Sequence, residues 1–264
     1  MVPLGLGAGF YGLGSTGENV VVGLDNYSIA FDGTNDYLSV SHDGSLNFAD
    51  GSQDYPLSIS FWLKVDDLSG SAAQGILIKG EEYKLYIDPP NERIFFIRRD
   101  DSANKNIRVR ADALVEDTWQ HFLVTSDDSE TALMYIYLNG VLTSTISGVT
   151  TGSATETGYV ASENDSTDLY IGRASGSFSG AFGTSYQYLD GSLANIAFWR
   201  AELSAANAVT LYNGGINFDV ANSGIPGSLQ ASWRFAEQTG TTAADSGEGG
   251  NTATLVNGPN WVTE

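Results

Sequence analysis

Apolar and polar residues alternate with a period of two along most of this chain, and the alternating runs are short. Leu57, Ile59, Phe61, Leu63 and Val65 share one face of a predicted strand over residues 57–65, the pattern of a sheet packed on one side. Similar runs predict strands at 27–31, 37–40, 75–78, 83–87, 93–99, 107–110, 119–125, 169–172 and 191–200. The clearest hairpin joins 133–138 to 141–146 through Asn139-Gly140, a pair suited to a type I′ turn. One helix is predicted, over residues 204–212. Ser204 is its N-cap, Leu203, Val209 and Tyr212 have helical spacing, and Gly214-Gly215 stops it. Residues 213–228 read as a connector, and the tail from 229 to 262 adds two or three strands around a Gly/Ser/Thr/Asp/Asn loop. About fourteen strands, one helix and no βαβ alternation predict an antiparallel β-sandwich. A single domain over residues 25–264 is expected, because the tail alone is too short to bury a core.

Residues 1–24 break the pattern. Six glycines in the first seventeen positions are interleaved with Leu4, Leu6, Phe10, Tyr11 and Leu13. Such an arm is flexible unless it lies on a surface, and a neighbouring subunit, another copy included, is the expected surface. The start lacks the basic region of a signal peptide, and no run of 18 apolar residues suggests a membrane span.

Charge narrows the partners. The 264-residue chain carries 32 acidic and 12 basic side chains, a net charge of −20. That field disfavours nucleic acid and anionic lipid and favours divalent cations. Eight of the cations fall in one window: Lys79, Lys84, Arg93, Arg98, Arg99, Lys105, Arg108 and Arg110. They read either as the polar outer face of two or three strands or as a docking face for an acidic neighbour. The absence of cysteine removes disulfides and thiol catalysis, and points to a bacterial or viral source.

Several segments together resemble the laminin-G-like, concanavalin A-like lectin/glucanase family. Residues 30–38 (AFDGTNDYL) are similar to its opening strand and turn, and residues 57–64 (LSISFWLK) to a core strand. Trp119-Gln120-His121, the hairpin at Asn139-Gly140, and Leu169-Tyr170-Ile171-Gly172-Arg173 follow in family order. Residues 190–204 resemble its penultimate strand and short helix, and residues 233–262 a segment often placed earlier in the family. The resemblance implies a jelly-roll sandwich. It also resembles modules of bacteriophage structural proteins, and the glycine-rich arm has the same character.

Three chemistries stand beside plainer roles for the same residues. The resemblance implies a Ca²⁺ ion at the sandwich edge. Asp32, Asn35 and Asp36 supply oxygens in one turn with Asp190 nearby, and Asp245 and Asn251 supply them in a second loop. The plainer reading makes these Asx-turn and cap residues. The family's hydrolases carry paired acids as E-x-D-x-(x)-E, and the nearest match, Glu163-Asn164-Asp165-Ser166-Thr167-Asp168, reads as a loop. A sugar site needs rings to stack on. Phe178, Phe182, Tyr186 and Tyr188 lie in a Gly/Ser-rich loop, where they either stack on a glycan or cover the end of the core. Trp62, Trp119, Trp199 and Trp233 are assigned mostly to the core.

The sequence therefore predicts a non-enzymatic structural or adhesive protein on the surface of a larger assembly, a phage virion component such as a capsid decoration or tail-fibre protein. Its arm would anchor it to other subunits and its sandwich would face outward, toward a cell-surface glycan. The alternatives are a secreted carbohydrate-binding module and, less favoured, a glycoside hydrolase.

Overall fold

Alternating side chains become two sheets packed through their apolar faces. In the computed structural model, residues 26–263 are described, except 101, 113, 129–132, 147–149, 152–153, 156–157, 164 and 175–185. The first strands are β1 (Tyr27–Asp32), β2 (Tyr37–Val40), β3 (Leu57–Val65), β4 (Ala73–Lys79), β5 (Tyr83–Asp88), β6 (Arg93–Asp100) and β7 (Lys105–Asp112). Next come β8 (Gln120–Ser126), β9 (Met134–Leu138), β10 (Val141–Ile146), β11 (Thr150–Thr151), β12 (Ala154–Thr155), β13 (Leu169–Ile171), β14 (Tyr186–Gln187) and β15 (Asp190–Arg200). The helix α1 (Ala205–Gly214) then leads to β16 (Ser228–Trp233), β17 (Thr242–Ala243), β18 (Ala253–Val256) and β19 (Asn260–Thr263).

The first sheet runs β10-β9-β8-β3-β15-β1-β19, with β16 also paired to β15, and the second runs β17-β18-β2-β13-β4-β5-β6-β7. These pairings are antiparallel; the short β14 joins β4 in parallel, and β11 with β12 forms a separate two-stranded ribbon. Ile59, Phe61 and Phe122 of the first sheet meet Leu85, Phe96 and Val109 of the second in one buried core. The tail is divided between the layers: β16 and β19 join the first sheet, β17 and β18 the second. The hairpin turn forms as predicted, with Asn139 at φ 50° and Gly140 at φ 78°.

Outward residues of the first sheet are roofed by α1. Ser204 caps the helix: its hydroxyl accepts the Asn207 amide, and the Asn207 side chain accepts the Ser204 amide. Of the residues with helical spacing, Leu203 is buried against the first sheet. Ala208 and Leu211 pack the helix onto Leu123, Tyr137 and Trp199, whereas Val209 and Tyr212 are 47% and 37% exposed. The helix runs from Ala205, after its predicted cap Ser204, to Gly214, two residues past the predicted end. Trp62 also departs from the core assignment. It stands on the outer face, stacked on Tyr212 at 5.8 Å between ring centres.

The basic window is corrected as well. Lys79 and Arg98 are fully buried, and Lys84 and Arg99 nearly so. Arg98 lies opposite the core residues Tyr83 and Ile107, so its parity points it inward. There it donates to Asp54 (2.9 Å), the Tyr55 carbonyl (3.1 Å) and Ser126 (3.3 Å). Outward, Lys84 and Arg99 pair with Glu81, and Arg93 and Arg110 with Asp112. Nearby acids of the same chain thus take up much of the window.

Candidate functional site

Where β2 and β13 lie side by side, their outward residues form an aromatic cluster. Leu38 of β2, and Leu169 and Ile171 of β13, point into the core, so Tyr37 and Tyr170 point out. Their rings meet edge to face at 5.9 Å. Tyr188, just before β15, lies 6.3 Å from Tyr37. Arg173 lies over two of the rings, its guanidinium carbon 4.5 Å from the centre of Tyr37 and 4.1 Å from that of Tyr170. All four side chains are partly exposed. Cation–π contacts and edge-to-face rings are each worth roughly 0.5–2 kcal/mol at such sites.

The backbone beneath this cluster has little room to move. Gly172 donates to the Ile76 carbonyl and accepts from the Leu189 amide, both at 2.9 Å. It sits at φ 83°, and a Cβ there would lie 2.4 Å from the Phe31 ring. Gly75, at the bulge of β4, lets the Arg173 peptide approach so closely that a Cβ would meet it at 2.4 Å. Two glycines therefore fix where Arg173 and Tyr188 start from.

Of the predicted sugar-stacking residues, Tyr188 is in this cluster. Phe178, Phe182 and the Tyr186 side chain lie outside the described residues, as do Leu4, Leu6, Phe10, Tyr11 and Leu13 of the arm. Tyr37, Tyr170 and Arg173 were not singled out from the sequence. A signal existed: each tyrosine is next to an inward leucine or isoleucine in a short alternating run.

The predicted calcium residues fall into two separate groups. Asp32 and Asp190 are register partners across β1 and β15. Asp32 accepts the Thr34 amide at 2.8 Å and the Asn35 amide at 3.3 Å, and the Thr34 bond holds its carboxyl below the usual range. Burial raises Asp36, with Asp32 adding to the effect. Burial also raises Asp190, followed by the charges of Asp66, Asp67 and Asp32. In the second group, Asp245 accepts amides from Ser232, Gly247 and Asn251, each at 2.7 Å. The Asn251 amide group donates to Ser45 and to the Gln230 carbonyl. Among the described residues no three His, Cys, Asp or Glu side chains converge as a metal site.

The acids nearest the hydrolase pattern serve as amide acceptors in three directions. Glu163 takes the Ser102 amide, Asp165 those of Glu81 and Thr167, and Asp168 that of His42. Burial opposes ionisation of Asp165, but the Glu81 and Thr167 bonds outweigh it and hold the carboxyl below its ordinary range. Two surface hollows, of about 440 and 290 Å³, share no residue with the tyrosine cluster.

Two packed antiparallel sheets and a capping helix define a lectin-like β-sandwich. Residues 32–209 match the family model Laminin_G_3, of the concanavalin A-like lectin/glucanases superfamily, and the chain belongs to that family. A search among curated proteins finds no match. Among solved structures, the chain is similar to a Bacteroides ovatus protein described as a "putative carbohydrate binding protein" (18% identity, TM-score 0.58). That likeness covers 90% of this chain and 60% of the other, so the chain spans about three-fifths of that protein's length. It is also similar to the heptameric SAP-like pentraxin of Limulus polyphemus (13% identity, TM-score 0.55), covering 92% of this chain and 98% of the pentraxin. At these identities the likeness is one of fold.

Proposed function

We propose that this protein is a non-enzymatic glycan-binding sandwich whose contact surface is the cluster of Tyr37, Tyr170, Tyr188 and Arg173. The observation that carries the proposal is three partly exposed tyrosines on a constrained backbone, two of them under one guanidinium and the third beside Tyr37. Sugar rings present an apolar C–H face that stacks on aromatic rings, and hydroxyls that pair with charged and amide groups. The Bacteroides ovatus neighbour, by its description, supports the same chemistry.

Within this reading the domain sits on the outside of a larger assembly, as a virion component would, with the arm of residues 1–24 as anchor. The described chain begins beside Asn217, just beyond α1: Tyr27 donates to Asn217, and Asn217 donates to Asn26. The first described residues therefore lie near the helix, at the start of a strand of the first sheet, while the tyrosine cluster lies on the second. A glycan array probed with full-length protein tests the binding. Bound glycans that are lost in a Tyr170→Ala, Tyr188→Ala double variant are expected. An array without hits at high protein concentration removes the proposal. Sizing the full chain beside one lacking residues 1–24 tests the anchor, and a monomer in both cases removes that part.

A further inference from the structure

Arg173 differs from the arginines around it. Arg98 pairs with Asp54 at 2.9 Å, Arg93 with Asp112 at 3.0 Å and Arg99 with Glu81 at 3.1 Å. Among the described residues Arg173 has no hydrogen bond or ion pair, and its described partners are two aromatic rings. Its Nε is shielded from water with no acceptor. The chain has 32 acidic side chains against 12 basic ones, so an unpaired guanidinium is not explained by a shortage of carboxylates.

The geometry leaves one part of the group open. The Tyr37 and Tyr170 planes are 74° apart, so the planar guanidinium over them lies flat on at most one, and its terminal N–H groups make no described hydrogen bond. With Nε shielded, the terminal pair of nitrogens is the fork that a ligand can reach. A fork of two parallel donors matches a carboxylate, and charge-assisted pairs of this kind are about twice as strong as neutral hydrogen bonds. We infer that Arg173 makes the tyrosine cluster selective for acidic saccharides, whose carboxylate meets the guanidinium while a sugar ring stacks on Tyr188. This inference rests on the glycan-binding reading above.

Long-range repulsion does not cancel this selectivity. The chain's −20 charge opposes an anion at a distance. At 0.15 M salt the Debye length is about 8 Å, so distant carboxylates are screened while a contact at hydrogen-bond range is not. Selectivity should therefore be clearest at physiological salt.

The test uses full-length protein at 0.15 M NaCl with two matched pairs of probes. One pair is oligogalacturonate and its methyl ester; the other is sialyllactose and lactose. Calorimetry gives the affinities, with saturation-transfer NMR for the weaker members. In at least one pair the acidic member is expected to bind at least tenfold tighter. Arg173→Gln is expected to abolish that preference, the acidic member losing more affinity than the neutral one, and Arg173→Lys to keep part of the preference. Thermal melts establish that the variants fold; if Arg173→Gln does not, the acid-against-ester comparison in the unmodified protein and in Arg173→Lys decides. Equal affinity for both members overturns the inference and leaves glycan binding standing. So does a preference that survives Arg173→Gln, or an equal loss of both members in that variant. Failure of every probe to bind overturns the inference together with the reading beneath it.

Discussion

Acid should weaken this protein through His121. The ring is 1% exposed on the outer face of β8, under α1. Its Nε2 lies 2.9 Å from the Ser60 hydroxyl, and its Nδ1 is buried without a partner. Trp62 and Tyr212 flank it, with ring centres 5.2 and 6.3 Å away. Burial alone pushes its pKa down from 6.5 to about 3. Because the unfolded chain binds the proton first, stability is full above pH 6.5 and falls as the pH drops toward 3. At about 1.36 kcal/mol per pH unit, the loss between pH 7.5 and 4.5 is about 2.7 kcal/mol. Glu82 acts in the opposite direction. Burial raises its pKa from 4.5 to about 7, so its contribution is full below pH 4.5 and is lost as the pH rises through 7. Over the same interval it restores roughly 3 kcal/mol on acidification, which offsets the histidine in the unmodified protein. The difference from a His121→Gln variant isolates the histidine. Urea unfolding followed by tryptophan fluorescence at both pH values gives four stabilities. The advantage of the unmodified protein over the variant is expected to shrink by about 2.7 kcal/mol on going to pH 4.5. A difference constant to within about 0.5 kcal/mol between the two pH values would refute a neutral, buried His121.

Three further outcomes follow from contacts elsewhere. Arg98→Met leaves the buried Asp54 carboxylate without its cation and should cost about 3–5 kcal/mol in urea unfolding; a loss under 1 kcal/mol would contradict a working network. Gly75→Ala drives a Cβ into the Arg173 peptide, so a loss of about 1–3 kcal/mol is expected, together with weaker glycan binding as Arg173 moves off its rings. Asp245→Asn weakens three amide bonds and should cost about 1–2 kcal/mol in urea unfolding. A melting temperature lowered by EDTA and restored by Ca²⁺ would establish a calcium site.

The layers were legible because alternation reports burial strand by strand. Leu57 to Val65 is one buried face at period two, and Asn139-Gly140 forces its turn locally. Deviations arose where a second layer covers the first. Trp62 and His121 alternate outward as a solvated face would, yet α1 lies over them. The inward turn of Arg98 was hidden for a related reason. The strand run from 93 to 99 has the same parity whichever face is buried, and a full-length arginine is accepted inside because Asp54, Ser126 and two carbonyls wait there.

The candidate site was harder to read because it depends on sheet order. Period two tells that Tyr37 and Tyr170 point outward, but not that they meet. They meet because β13 inserts between β2 and β4, setting Leu169 against Val40 on one side and Lys79 on the other. The same insertion brings the Arg173 peptide onto Gly75, and the glycine is what allows the guanidinium to reach both rings. In a sequence, Gly75 and Arg173 are two unremarkable positions nearly a hundred residues apart. Once the sheet order is known they become a single constraint. It couples the candidate site to the bulge in β4, so that a methyl group added at Gly75 should act on glycan binding without touching any ring.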